Sequence, residues 1–332
     1  MGRFVLRRLA TTLVVLAAVS LIAFSVMQMV PGDPALVMAG VGASGDQVQR
    51  IREQFGLDQP FLTQLARWYG GLLTGDLGQS ITLARPVSQA LLERVPATLA
   101  MAGFAMALTI LFGVGAGILA ALRRDSWIDR ALMATAVLGV SIPSFWLGLI
   151  FIILFGVVLD LLPTGGYAPL SEGFWPWLKS LVLPSVSLAL LQIGLLARIT
   201  RAAMVDVLQQ DYMRTARAKG LPDRLRIGKH ALVNVLVTVV TVTGIVFGLM
   251  LSGSVVIETV FALPGIGRLM ASAILTRDYP VIQGGLLATA VVFVLLNLLV
   301  DILYCWIEKV LSRGDYRFGG VAKTQRLQVW SR

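Results

Sequence analysis

Six long apolar runs constrain this sequence more than any other feature. They lie at residues 9–30, 97–122, 131–159, 180–200, 235–257 and 284–307. A helix of about twenty apolar residues crosses the hydrocarbon core of a bilayer and satisfies its own backbone polar groups there. The runs therefore predict an all-α, polytopic membrane protein with six transmembrane helices, surrounded by membrane lipid.

The composition excludes an ordinary soluble domain, because 57% of the residues are hydrophobic and only 14% are charged. The net charge of +10 would also suit a nucleic-acid partner. The basic residues flank the apolar runs, however, where membrane topology places them, so we expect no nucleic acid. The first run follows Arg3, Arg7 and Arg8 and is too long for the core of a signal peptide, so it predicts an uncleaved signal anchor.

Lys and Arg are divided unequally between the two sides of these runs. The N-terminus, the turn at 123–130, the segment 198–229 and the C-terminus hold 20 of the 28. Because cytoplasmic segments are enriched in basic residues, both termini are predicted to be cytoplasmic. The chain then divides into an N-terminal segment with the first helix at 1–30, an external loop at 31–96, a five-helix core at 97–307 with a cytoplasmic loop at 201–234, and a cytoplasmic tail at 308–332.

The external loop at 31–96 contains two helix-like, amphipathic stretches. Ser44 or Asp46 can cap the first, and Gly56 can end it. The second begins after Pro60. We expect both helices to pack against the outer ends of the spans rather than to form a substrate site of their own.

The segment 201–229 is a basic island between two apolar runs. Its ten charged side chains would each cost about 2.5 kcal/mol or more at the centre of a bilayer, so the island stays in water. Within it, we expect Asp211 to cap a helix from Tyr212 to Lys219, Gly220 to end that helix in the left-handed conformation, and Pro222 to prevent its resumption.

One face of this short helix carries side chains at spacings of three and four: Tyr212, Thr215, Ala216 and Lys219. Arg214 and Arg217 then point elsewhere. The small residues on this face suit a shallow groove in a partner protein. A solvated loop that only sets membrane topology is equally compatible with the charge pattern.

The island resembles the cytoplasmic motif of the inner-membrane permease subunits of ATP-binding-cassette importers, in their dipeptide, oligopeptide and nickel branch. That motif reads E-A-A, three residues, Gly, nine residues, then I-x-L-P. Ala216, Gly220 and Leu232 match it. The sequence departs from it at Arg214, Thr215 and Val233, and "DYMRTARAKG" is similar to the form of the peptide branch.

Further stretches of the chain resemble the same branch. They are "PGDP" at 31–34, "FGLDQP" at 55–60, "GDLGQS" at 75–80, "RPV" at 85–87, "LPTGGY" at 162–167, "ETVFALPGIGRLM" at 258–270 and "RDYPVIQG" at 277–284. The resemblance extends to about residue 312.

The resemblance implies a permease in the bacterial inner membrane that works with other chains. A periplasmic or lipoprotein substrate-binding protein would deliver a dipeptide or oligopeptide, a second homologous permease would complete the path, and two ATP-binding-cassette ATPases would bind ATP and Mg. A glutathione-like compound or a nickel chelate is an alternative substrate. The sequence itself lacks a phosphate-binding loop, because Gly228 and Lys229 are followed by His230 rather than by Ser or Thr. We therefore expect no cofactor on this chain.

In this family the island would be the ATPase-coupling helix, which transmits closure of the ATPases to the spans. The resemblance implies coupling positions at Asp211, Tyr212, Thr215, Ala216, Gly220 and Leu221. Candidates for the translocation path or its gate are polar residues and a proline within or beside the spans: Ser141, Pro143, Ser144, Gln192, Glu258 and Asn297. Pro143 can also kink the third span, and glycine pairs such as Gly113 and Gly117 predict close helix packing.

Two other classes of membrane protein fit less well. An intramembrane enzyme would need paired histidines, a G-x-S-x-G turn or a glycine-flanked pair of aspartates, and none is evident, so we predict no catalytic residue. Cys305 and His230 are each the only residue of their type, which argues against a metal site. A stand-alone secondary transporter or channel would need charged coupling residues near the membrane midplane and an internal repeat, and neither is evident.

Overall fold

The computed structural model describes residues 2–29, 33–40 and 42–313. This part of the chain is helical apart from turns and loops, and its only extended pairing is an isolated bridge between Gln79 and Pro86. The all-α class is therefore confirmed. The chain forms two compact units: Met1–Phe104, Phe145–Leu188 and Leu251–Leu295 make up the first, and Ala105–Ser144, Ala189–Met250 and Leu296–Arg332 make up the second.

The N-terminal part of the first unit contains the helices α1 (Gly2–Met29), α2 (Pro34–Ala39), α3 (Gly45–Phe55) and α4 (Phe61–Thr74). Ser44 caps α3 through a reciprocal pair of hydrogen bonds with Gln47, and Gly56 ends it in the left-handed conformation at φ +66°. Helix α4 begins directly after Pro60. The predicted start and end of the first loop helix and the predicted start of the second are confirmed.

Helix α4 packs along α1. The ring of Phe24 lies 5.5 Å from that of Phe61 and 5.4 Å from that of Trp68, measured between centroids. The hydroxyls of Ser20 and Tyr69 are 2.9 Å apart. The amphipathic loop helix thus packs against a predicted span, as expected.

The next helices cover the second and third apolar runs. They are α5 (Val87–Leu92), α6 (Val95–Leu108), a π-helical turn (Thr109–Val114), α7 (Gly115–Leu122), α8 (Trp127–Ser141), α9 (Ser144–Phe151) and a second π-helical turn (Ile152–Val158). Between Ser141 and Ser144 the helix axis bends by 96°. Pro143 lies at this break, because its ring and missing N–H prevent the helical hydrogen bonds from continuing. The predicted kink is confirmed.

The remaining helices are a short 3-10 helix (Leu170–Glu172), α10 (Phe174–Leu208), α11 (Asp211–Ala218), α12 (Asp223–Leu225), a third π-helical turn (Arg226–Ala231), α13 (Leu232–Val260), α14 (Ile266–Thr276) and α15 (Tyr279–Arg313).

Among the described residues, four helical stretches are long and apolar enough to cross a membrane: Val87–Leu122, Phe174–Leu208, Asp223–Val260 and Tyr279–Ile302. The bent pair α8 and α9 supplies a fifth if it counts as one span. Helix α1 carries the shorter apolar stretch Ala10–Ser25. A multi-pass membrane protein follows from these lengths, whereas the number of six crossings stays a prediction.

A buried set of hydrogen bonds joins two distant segments of the first unit. The Ser80 hydroxyl and the Thr82 N–H donate to Oδ2 of Asp278 over 2.6 and 2.9 Å, and the Val281 N–H donates to Oδ1 over 3.4 Å. Asp278 therefore caps the start of α15 while it holds the loop before α5. Apolar side chains beside it form a core between α5, α14 and α15: Val87, Ala90, Leu91, Ile266, Leu269, Ala273, Val281 and Ile282.

Glycines bring α7 and α10 close together in the second unit. A Cβ on Gly117 would lie 2.6 Å from the carbonyl oxygen of Ala197 and 2.6 Å from Cβ of Thr200. A Cβ on Gly113 would lie 3.1 Å from Cβ of Leu196. The prediction that Gly113 and Gly117 mark a close helix contact is confirmed.

Candidate functional site

The short helix predicted in the basic island exists as α11, but its N-terminus differs from the prediction. Asp211 is the first helical residue rather than the cap, and Gln210 at the cap position makes no side-chain capping bond. Asp211 still contributes a negative charge to the first turn, where the helix dipole favours it. Its carbonyl oxygen accepts a hydrogen bond from the Thr215 hydroxyl over 3.0 Å. The prediction that Asp211 caps the helix is therefore wrong.

The end of α11 follows the predicted chemistry only in part. Gly220 is left-handed at φ +72°, as expected for a residue that ends a helix. Pro222 does not prevent helix from resuming, because α12 begins at the next residue, Asp223, and continues into α13. Proline lacks an N–H, and the first N–H groups of a helix have no partner within it, so this position suits a helix start. The prediction for Pro222 is wrong for that reason.

Met213, which is not among the predicted coupling positions, fastens α11 to the bundle of its own chain. Met213 is 3% exposed and belongs to a buried cluster: Ala121, Met204, Met213, Ala231, Val235 and Val239. The cluster joins α7, α10, α11 and the start of α13. Met213 is the only large aliphatic side chain of α11. This apolar residue in a mostly polar helix is the sequence signal that could have predicted the anchoring contact.

The Tyr212 side chain lies partly in the bundle and partly at the surface. It packs against the same cluster, and its hydroxyl accepts a hydrogen bond from Nδ2 of Asn234 over 3.2 Å. Burial raises the pKa of the Tyr212 phenol above its usual value, because desolvation disfavours the charged phenolate. Tyr212 therefore helps to orient α11, and only part of its ring is accessible to another chain.

The outward side of α11 carries most of its charge. The Arg214 side chain is 76% exposed, and its only ion pair among the described residues is a 3.6 Å contact with the exposed Asp211. Thr215, Arg217 and Ala218 are exposed as well. Within the predicted set of coupling positions, Ala216 and Leu221 are half-buried, while Gly220 is exposed and a Cβ built on it would meet nothing within 4 Å.

A largely buried ion pair fastens α8 to α10 in the second unit. Nε and Nη2 of Arg201 each donate to one carboxylate oxygen of Asp129 over 2.6 Å. Asp129 is 3% exposed and also accepts a hydrogen bond from the Asp125 N–H over 3.0 Å. This planar, two-point contact holds α8 in a fixed orientation on α10. No local pattern in the sequence predicts this pair, because its members are 72 residues apart.

Five of the six candidates for the path or gate belong to the second unit, namely Ser141, Pro143, Ser144, Gln192 and Asn297. Ser141 is exposed, and its hydroxyl donates to the Val137 carbonyl over 2.9 Å. Gln192 is 5% exposed, and its Oε1 has no hydrogen-bond partner among the described residues. Pro143 lies at the helix break described above. These positions stay predictions as path residues.

The sixth candidate, Glu258, lies in the first unit and is completely buried. Its Oε1 accepts from the Thr98 hydroxyl over 2.6 Å, and its Oε2 accepts from the Arg268 N–H over 2.9 Å. The Thr98 hydroxyl in turn accepts from the Ile266 N–H over 2.9 Å. Together these groups satisfy the first amides of α14, whose N-terminus also favours a negative charge.

The stretch "LPGIG" at 263–267 forms the turn between α13 and the start of α14. Ala262 has a positive φ of 53°, and the Leu263 N–H returns to the Glu258 carbonyl over 2.8 Å. A Cβ on Gly265 would overlap the Glu258 carboxylate, so only glycine lets the carboxylate approach this closely. The gate role of Glu258 stays a prediction.

Comparison with known proteins shows which family the chain belongs to. The family described as the binding-protein-dependent transport system inner membrane component matches residues 113–313, and the N-terminal component of the same family matches residues 1–102. A Brucella abortus (strain 2308) protein named as a peptide transport system permease is 50% identical over 304 residues, which cover 92% of this chain and 97% of the relative. The glutathione transport system permease protein GsiC of Escherichia coli (strain K12) is 41% identical over 308 residues, covering 93% and 98%.

A solved structure shares the fold at lower identity. A chain of the MetNI methionine ABC transporter in an inward-facing conformation matches with a TM-score of 0.56 and 18% identity, over 66% of this chain and 96% of that one. From the family match and the relatives that align along nearly their full length, the chain belongs to the binding-protein-dependent transport system inner membrane components and is a permease of an ATP-binding-cassette importer.

Proposed function

We propose that this permease imports short peptides. The observation that carries the proposal is the alignment of nearly the whole chain with a relative named as a peptide transport system permease. The relative named as a glutathione permease also aligns over nearly its full length, and glutathione is itself a modified tripeptide in chemical terms. A compound with a peptide backbone is therefore the proposed substrate class, and a nickel chelate is the alternative.

The proposed topology has six crossings with both termini in the cytoplasm of a bacterium, and the protein lies in the inner membrane. The excess of Lys and Arg in the segments assigned to the cytoplasm supports this orientation. The proposed division is an N-terminal segment with the first helix at 1–30, an external loop at 31–96, a five-helix core at 97–307 and a cytoplasmic tail at 308–332. The segment 314–332 lies outside the described residues.

The proposed assembly contains a second homologous permease, two ATP-binding-cassette ATPases and a periplasmic or lipoprotein substrate-binding protein. ATP and Mg bind the ATPases, and this chain has no ATPase site of its own. Helix α11 docks on one ATPase through Thr215, Ala216, Gly220 and Leu221, and Asp211 and Tyr212 border the contact. The anchoring of α11 by Met213 supports this role, because a helix that transmits a movement must be attached to the helices that it moves.

In this proposal the spans open by changing the break at Pro143. The translocation path is lined by Ser141, Ser144, Gln192 and Asn297. The outer gate includes Glu258. The orphaned Oε1 of Gln192 supports a polar neighbour, such as water or substrate, at that position, since a buried amide oxygen without a partner is costly.

Reconstitution tests the proposed function. The purified four-subunit importer is placed in proteoliposomes with ATP on the ATPase side and its binding protein on the other. Uptake of labelled di- to pentapeptides and of glutathione is compared with uptake by a complex whose ATPases lack the phosphate-loop lysine. ATP-dependent uptake of a peptide supports the proposal. Uptake of neither class, with ATP-dependent uptake of a nickel chelate, would replace it with the alternative.

A further inference from the structure

The two sides of α11 have different chemistry. Its large apolar and aromatic side chains, Met213 and Tyr212, are turned into the bundle of its own chain. Its exposed side carries Arg214, Arg217 and the small residues Thr215 and Ala218. The helical spacing predicted that the two arginines point away from a partner. The structure instead exposes them on the side that is free to meet one.

The surroundings of α11 add positive charge and little negative charge. Residues 211–229 contain six basic and two acidic side chains. One of the acids, Asp223, is paired with Arg226 over 2.7 Å. The other, Asp211, is 97% exposed and lies 3.6 Å from Arg214, a geometry in which an ion pair contributes little. The accessible surface of the helix is therefore basic.

An anionic membrane surface is a poorer match for this helix than a protein. A helix that lies on a membrane inserts large apolar side chains into the lipid and keeps its cations at the headgroups. Here the large side chains of α11 are already buried against the bundle. The small exposed residues permit the backbone to approach a partner closely, and a protein groove can place carboxylates opposite individual guanidinium groups.

We propose that the ATPase surface that receives α11 is acidic and presents an Asp or Glu side chain to each of Arg214 and Arg217. This inference rests on the proposed docking of α11 on an ATPase and specifies its chemistry. The arginines select the matching ATPase by charge and hold it in register. The small side chains of Thr215 and Ala218 allow α11 to approach the ATPase surface closely. Association should accordingly weaken as salt is added.

Charge reversal in the full complex tests the proposal. Tagged permease is co-expressed with the second permease and the ATPases of its own transport system, and is purified at low and at high salt. We expect Arg214→Glu and Arg217→Glu each to lower the amount of retained ATPase about tenfold at low salt, as reversal of a contacting charge does at a steered interface. Arg50→Glu on α3 is the matched control, since Arg50 is exposed and lies in the external loop. It should retain the ATPases fully.

A chemical readout identifies the acidic partner groups. Arg214→Lys and Arg217→Lys keep the charge but introduce an amine, which a carbodiimide joins as an amide to a carboxylate in direct contact. We expect the cross-linked peptides to join these lysines to Asp or Glu residues of the ATPase. Assembled complexes in which neither lysine cross-links, or in which both reversals retain the ATPases at every salt concentration, would overturn the charge proposal alone.

Two other results would separate a membrane contact of α11 from a failure of its docking role. If the reversals leave the ATPases in place but remove co-purifying anionic lipid, the basic face meets the membrane and the proposal is wrong. If the unaltered permease retains no ATPase at all, the docking role of α11 fails, and the charge proposal fails with it. Each variant is also expressed with the second permease but without the ATPases, and an elution volume of this permease pair equal to that of the unaltered pair on size exclusion excludes misfolding as the cause of a loss.

Discussion

The Thr98 hydroxyl donates to the Glu258 carboxylate over 2.6 Å while it accepts from the Ile266 N–H over 2.9 Å. One threonine thereby connects α6, the end of α13 and the start of α14. Both side chains are buried, with 5% of Thr98 and 0% of Glu258 exposed. A fully buried carboxylate is tolerated here because hydroxyl and amide donors surround it.

Thr98→Val should destabilise the protein. The substitution keeps the shape of the side chain but removes one donor from Glu258 and one acceptor from Ile266, and a buried group left without a partner costs about 1–3 kcal/mol. Thermal unfolding of the purified protein in detergent should show a lower Tm. Thr259→Val is the control, because Thr259 is exposed and bonds only the Val255 carbonyl of its own helix. Equal Tm values for the two variants would contradict the argument.

Asp129→Asn should loosen α8 from α10. The substitution leaves Arg201 without its carboxylate partner. Removing one partner of a buried ion pair lowers the free energy of unfolding by about 3–5 kcal/mol. The loss should be smaller here, because the Arg201 side chain is 27% exposed. Hydrogen exchange at the N-terminal turn of α8 should become faster. Asp125→Asn serves as the comparison, since the Asp125 carboxylate is 84% exposed and asparagine accepts its positive φ of 62°. A similar exchange rate in both variants would argue that the ion pair adds nothing.

Met213→Ala should release α11 from the bundle. Truncation of a buried methionine costs about 2–5 kcal/mol, and the loss falls on a helix of only 8 residues. We expect faster hydrogen exchange in α11, easier proteolysis after Arg214 or Arg217, and weaker coupling of ATP hydrolysis to transport. Met213→Leu conserves the volume and should behave as the unaltered protein does. Unchanged exchange in the alanine variant would show that Tyr212 alone suffices as an anchor.

Gly117→Ala should force α7 and α10 apart. The new methyl group would meet the Ala197 carbonyl and Thr200 at 2.6 Å, and overpacking of this kind costs about 1–3 kcal/mol. The neighbouring Gly115 offers a matched control, because a Cβ there would meet nothing within 4 Å. Gly115→Ala should be neutral or slightly stabilising, since alanine favours a helix over glycine by about 1 kcal/mol. Tm measurements on both variants separate crowding from helix propensity.

Ala216→Asp should abolish transport while the protein remains in the membrane. Ala216 is half-buried on α11, and an aspartate there would place an unpaired charge at the proposed contact with the ATPase. Membrane fractions should contain normal amounts of the variant, and uptake in the reconstituted importer should be lost. Normal uptake would remove Ala216 from the contact. Disappearance of the subunit from the membrane would reveal a folding role instead.

Local chemistry along the chain predicted many of the helix boundaries. Ser44, Gly56, Pro60 and Gly220 act where the sequence placed them, because capping and left-handed turns depend on a few neighbouring residues. The same reasoning was wrong at Asp211. An aspartate can occupy either the cap or the first turn of a helix, and the anchoring of Met213 in the cluster accompanies the second choice.

The sequence by itself determined that this is an all-helical membrane protein with a basic segment between two of its spans, since run length and charge act through solvation alone. Only the tertiary structure decided which buried polar groups meet. Asp129 pairs with Arg201, Thr98 with Glu258 and Ser80 with Asp278, across separations of 72, 160 and 198 residues. Spacing along one helix carries no information about such partners, because they are selected when separate helices pack and each buried charge or hydroxyl must find a donor or acceptor. The same packing turned Met213 inward and left Arg214 exposed, and thereby set which side of α11 another protein can reach.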